Sequence, residues 1–185
     1  MSLRHDEFRV IRETISTRGT VRIALVPAVV FAWAVLVGGF LLFGTPHPLA
    51  VIVSLIVLMA GFEAVHALHV GIERIGRFLQ VFYEGEPDGP QWESTAMRVG
   101  PGLPGSGVDP LFTLVFVAAT LVNLVLTVVA QTTPAEAAVS LALHVAFIVR
   151  MVRARLAAAR QRARDLEIFE RLRAAATPHL DPPTV

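Results

Sequence analysis

Residues 61–86 read GFEAVHALHVGIERIGRFLQVFYEGE, and they decide the fold because they are two things at once. They prolong a hydrophobic run that begins near Leu49, and they carry Glu63, His66, His69 and Glu73 before that run has ended. At 100° per residue, these four fall with Arg74, Arg77 and Gln80 inside an arc of about 140°. The opposite face is Ala64, Val65, Leu68, Gly71, Ile72, Ile75, Leu79 and Phe82. The pattern predicts one helix with one polar stripe, running to about Tyr83 and so beyond what a bilayer needs. Ionisable groups are expensive in hydrocarbon, so a cluster of them marks a functional site by default.

The rest of the chain supports a membrane setting. Of 185 residues, 54% are hydrophobic and 17% charged, and the apolar residues come in long blocks rather than short stripes. That composition predicts a polytopic α-helical membrane protein, all-α, with four transmembrane helices arranged as two hairpins. There is no cysteine, which excludes disulfides, thiolate metal sites and covalently attached c-type haem. A net charge of +1 hides a strong segregation. Every basic residue is an arginine, and the arginines sit at the ends of the apolar blocks.

Working outward, residues 1–20 are charged, with Phe8, Ile11 and Ile15 on one face. They predict either an amphipathic helix lying in the membrane interface or one packed on the end of the bundle. Residues 21–83 form the first hairpin: a span over 23–43, an uncharged turn at 44–48, and the polar helix. The first apolar block is too long for a secretory signal and is expected to be retained. Residues 84–109 are rich in glycine, proline and acids, and they predict an irregular loop without helix or strand. Its VGPGLPGSG resembles a phosphate-cradling loop but lacks the lysine and the following Ser/Thr. Residues 110–176 form the second hairpin, and 177–185 a disordered tail.

The third span carries Thr113, Thr120, Asn123 and Thr127 within about 80° of arc. The fourth carries Ser140 and His144 and then overshoots into a basic helix with Arg150, Arg153, Arg155, Arg160, Arg162 and Arg164. Val152, Leu156, Ala159, Ala163 and Leu166 repeat there at heptad spacing, a short seam for docking. The turns at 44–48 and 132–134 carry no arginine, so the positive-inside rule puts both termini and the central loop in the cytoplasm. The second and fourth helices then both extend into the cytosol.

At about 1.5 Å per residue, Glu63, Asn123 and His144 are expected near the bilayer midplane, with His66 one turn below. An intramembrane polar site of Glu63, His66, His69, Glu73, Asn123 and His144 follows, and it fits three functions. Glu63-x-x-His66 with His144 has the donors for a transition metal, and His66 or His69 facing His144 has those for a b-type haem. The Glu63–His66–His69–Glu73 ladder has titratable groups at one-turn spacing for a proton- or ion-coupled transport or channel subunit. The same groups, engaged in interhelical bonds, describe an accessory or assembly subunit of a membrane complex, and this function is the first expectation. Its partners would be the bilayer, anionic headgroups at the six arginines, and a second copy or another subunit. Nucleic acid is not expected. No nucleophile elbow, catalytic triad or dinucleotide fingerprint is present, so an enzyme is not the leading class. Glu63→Gln or His66→Ala is expected to do more harm than changes at His47 or His179.

Overall fold

The computed structural model describes residues 3–44, 47–84, 91–99, 111–130 and 133–176. Among them the order is α1 (Leu3–Phe43), α2 (Pro48–Phe82), α3 (Trp92–Val99), α4 (Thr113–Val129) and α5 (Pro134–Ala176). Three of these helices, α1, α2 and α5, are long and apolar enough to cross a membrane, while α4 is a shorter apolar helix of 17 residues.

The helix starts follow local chemistry. Pro48 opens α2 behind His47, whose Nδ1 accepts the Leu49 amide at 3.2 Å. A proline at the first helical position forgoes a donor that has no intrahelical partner there anyway. Thr133 and Glu136 cap α5 reciprocally: the Glu136 amide reaches Thr133 Oγ1, and Glu136 Oε2 accepts the Thr133 amide at 2.8 Å. That is the capping box encoded by Thr-Pro-Ala-Glu. Phe112, before α4, takes the left-handed conformation at φ 51°, a strained choice for a side chain with a Cβ.

The packing has a hub. α2 touches α1, α3, α4 and α5, and the remaining large helix contact is α4 on α5. Phe62 is fully buried and meets Phe116 and Phe147 edge-on at 5.5 and 5.8 Å, so one ring from each of α2, α4 and α5 forms the core. Leu55, Leu58, Met151 and Val26 of α1 close around it. Aromatic edges favour aromatic faces, and this triangle fixes how the three helices rotate. At Gly61 a Cβ would lie 2.4 Å from Val29 Cγ1, so glycine is what lets α1 approach α2 there.

Three local expectations change. Residues 3–20 are not a separate segment: α1 is unbroken from Leu3 to Phe43, with Pro27 the one proline inside it. Its start packs on the bundle, Phe8 against Tyr83 at 5.5 Å. The central loop contains a helix, because its glycines and prolines flank WESTAMRV rather than interrupt it. Glu84 caps that helix by accepting the Glu93 and Ser94 amides, the latter at 2.7 Å. Finally, the heptad seam does not dock α5 on α2. Val152 and Leu156 are exposed, while Met151, Ala154 and Asp165 are buried. The core rings and the Asp165 ion pair turn the helix about one residue away from the seam. The turns at 45–46 and 131–132, the VGPGLPGSG residues 100–107 and the tail 177–185 lie outside the described residues.

Candidate functional site

Asn123 is the centre of the buried polar chemistry. It is fully buried, and each of its four hydrogen-bonding positions is filled. Its Oδ1 accepts Ser54 Oγ–H at 2.6 Å and Trp33 Nε1–H at 3.1 Å. Its Nδ2 donates to the Val51 carbonyl at 3.0 Å and to His144 Nε2 at 3.1 Å. His144 Nδ1 lies 2.7 Å from the Ser140 carbonyl, which can only accept, so that nitrogen carries the proton and Nε2 offers a lone pair to Asn123. Ser140 Oγ in turn meets Thr127 Oγ1 at 2.9 Å. Donors and acceptors balance without any charge. The amide thereby clasps α1, α2, α4 and α5 at one level, and a buried polar network of this kind favours one arrangement when complete.

Asn123 and His144 meet, as their stripes suggest. Trp33 and Ser54 are the partners that sequence reasoning missed. Both carry a signal: an indole N–H needs an acceptor when buried, and a lone serine in an apolar helix has the same need.

Glu63 and His66 do not join this group. Glu63 pairs with Arg150 at 2.8 Å on the outer side of the bundle, with both side chains about half exposed. The reason is register. Val51 and Ser54 set the level of Asn123, and Glu63 lies about 13 Å further along α2 than Ser54. His66 stacks on Phe62 with ring centroids 6.2 Å apart. Glu63, His66 and His144 therefore do not converge as a ligand set, and both His144 nitrogens already have protein partners. Among the described residues no group of three or more His, Asp or Glu side chains is placed to hold a metal ion.

The lower part of the ladder divides again. His69 is buried and its Nδ1 lies 3.0 Å from Arg22 Nη1. A guanidinium only donates, so Nδ1 accepts and the ring is neutral. Glu73 pairs with Arg77 at 3.1 Å, and Arg77 also reaches Asp165 at 2.7 Å. Arg74 stands 3.8 Å from the same carboxylate. Arg77 and Asp165 are almost fully buried, so α2 and α5 are joined by a desolvated ion pair. Arg12 of α1 pairs with Glu93 of α3 at 2.8 Å, and Arg173 donates to the Val81 carbonyl at 2.7 Å. Burial pushes the Glu93 carboxyl up from its ordinary value. Arg12 pulls the other way, and Glu84 and Glu73 add to the rise.

The six arginines between positions 150 and 164 of α5 have different fates. Arg150 is paired with Glu63. Arg153, Arg160 and Arg164 line a groove of about 490 Å³ together with Arg74, and Arg155 and Arg162 lie off it. No protein-family model, curated protein or solved structure matches this chain.

Proposed function

We propose that this chain is a small multi-pass membrane protein acting as an accessory or assembly subunit of a membrane complex. In this proposal α4 is the fourth span, both termini and the central loop are cytoplasmic, and the charged ends of α2 and α5 stand in the cytosol beyond the headgroups. At about 25 Å, α4 reaches the lower limit of a span.

The observation that carries the proposal is the closed clasp at Asn123. Every polar position of the buried Asn123 amide is engaged with another helix, which is what a scaffold needs and what leaves nothing of that amide over for a reacting group. Support also comes from the ladder. Glu63, His69 and Glu73 each pair sideways, with Arg150, Arg22 and Arg77, rather than passing a proton from one to the next. The surplus chemistry lies at the surface, in the arginines of α5 and the apolar outer faces of α1, and these are groups that meet lipid or another subunit.

The test is purification of the tagged protein from its own membranes in lipid nanodiscs, together with reconstitution into liposomes. A membrane polypeptide retained at fixed stoichiometry, and lost when Asn123→Leu opens the clasp, is the expected result. Purification of the chain alone, with proton flux in liposomes that Glu63→Gln abolishes, would replace the scaffold by a transporter.

A further inference from the structure

We propose that the groove between α2 and the C-terminal half of α5 binds the phosphate of an acidic phospholipid headgroup. The proposal rests on the membrane-spanning assignment above and names a ligand for it. The first observation is convergence. Arg153, Arg160 and Arg164 follow one another at i, i+7 and i+11, within about 40° of arc on one helix. Arg74 joins them from α2, so four guanidiniums line one groove.

The second observation is the shortage of counter-charge. Asp165 is the sole carboxylate in the lining, and it is committed to Arg77 at 2.7 Å and Arg74 at 3.8 Å. Among the described residues no ion pair joins Arg153, Arg160 or Arg164 to any acid. Three other arginines of this end are used: Arg150 on Glu63, Arg77 on Asp165, Arg12 on Glu93. Like charges held in one cleft repel, and an anion with several acceptor oxygens relieves that repulsion. Arginine forks match phosphate oxygens two at a time.

The third observation is level. Arg153 lies 19 residues beyond Pro134, about 28 Å along the helix, where ~30 Å of hydrocarbon ends. The groove therefore begins at headgroup depth with Arg153, and Arg160 and Arg164 follow about 10 and 16 Å further along the helix. Leu156 in its lining is 58% exposed, giving an apolar patch beside the arginines. A phosphate tethered to an acyl chain uses both surfaces, whereas a free phosphate uses only the arginines.

The experiment takes the full chain in zwitterionic micelles and titrates it with short-chain phosphatidylglycerol, read by native mass spectrometry. Saturable binding of the phosphatidylglycerol, with none of phosphatidylcholine at the same concentration, is expected. R153Q/R160Q should weaken it roughly 25-fold, each juxtamembrane arginine contributing about fivefold. R171Q removes a charge from the same helix at a residue paired with Glu167, and it should leave binding unchanged. Equal weakening by R171Q would mean that net charge alone is felt, and inorganic phosphate binding as tightly as the lipid would mean a soluble ligand. Either overturns the proposal. Glutamine retains helix propensity, and phosphate competition on the unaltered protein decides between lipid and soluble ligand even if the double variant fails to fold. Resistance to carbonate extraction reports on the spanning assignment separately, so the two failures are distinguishable.

Discussion

The clasp at Asn123 and the ion layer around Arg77 both tie α2 to α5, and they do so by opposite means. The clasp is neutral and complete, with both lone pairs and both amide hydrogens of Asn123 engaged. The ion layer is charged and uneven. Asp165 serves both Arg74 and Arg77, while Arg77 Nε is buried with no partner. A neutral closed network tolerates removal from water at small penalty and admits one arrangement. A charged one needs its surroundings to complete it, and the unpaired arginines beside Asp165 show where completion is missing. The difference is between a region that specifies structure and a region left open to a partner.

The largest effect is expected where the ion layer is broken. Arg77→Ala leaves the Asp165 carboxylate buried beside only Arg74, and losing one member of a buried pair costs about 3 kcal/mol or more. Denaturant titration of the protein in lipid should show it, and a change below about 1 kcal/mol would mean that water reaches Asp165 freely.

Asn123→Leu should come second. It removes four interhelical bonds at about 0.6 kcal/mol each in a membrane, roughly 2 kcal/mol together. The comparison is sharpened by salt: about 1 M salt should leave the second effect unchanged, because the clasp holds no charge, and should reduce the first only slightly, because a desolvated pair is screened far less than an exposed one.

Glu63→Gln should be smaller than both. The Glu63–Arg150 pair is half exposed, and such pairs contribute at most ~1 kcal/mol. A stability loss equal to that of Asn123→Leu would place Glu63 in a far drier setting than this geometry gives.

The smallest effect is a pH response at α3. Burial raises the Glu93 carboxyl, so the folded state holds that proton more tightly than the unfolded chain. The associated stability is fully present below the unfolded value and fades as pH rises through the raised one. Amide exchange in α3 should therefore slow as pH falls from neutrality through the carboxylate range, after correction for intrinsic rates. Glu93→Gln should abolish the dependence, and an unchanged pH profile in that variant would assign it to another group.

How much of this was legible depended on whether a residue's need could be read without its neighbours. Asn123 and His144 were legible because a strongly polar side chain in an apolar helix must turn inward. Trp33 and Ser54 were not, because both also pass as ordinary members of an apolar run. Glu63 stands at a different level from Asn123, although its partner could be counted from the sequence. It lies 15 residues past Pro48 and Arg150 lies 16 past Pro134, so both stand about 23 Å from the uncharged turns. The helical character of 92–99 was hidden by the glycines and prolines on either side. The unbroken α1 was hidden by its change of composition, which alters what the helix faces but supplies nothing to stop it.

The single proline of α1 has a mechanical consequence. Pro27 has no amide hydrogen, so the Ile23 carbonyl loses its partner in the helical ladder. Bending is softest at that one level, which falls between the Arg22–His69 bond and the Trp33–Asn123 bond. α1 is thus two stiff rods joined at a compliant point, the first held by Phe8, Arg12 and Arg22 and the second by Trp33. A push on its charged end becomes a change of tilt rather than a slide, and the clasp stays shut while the other end moves.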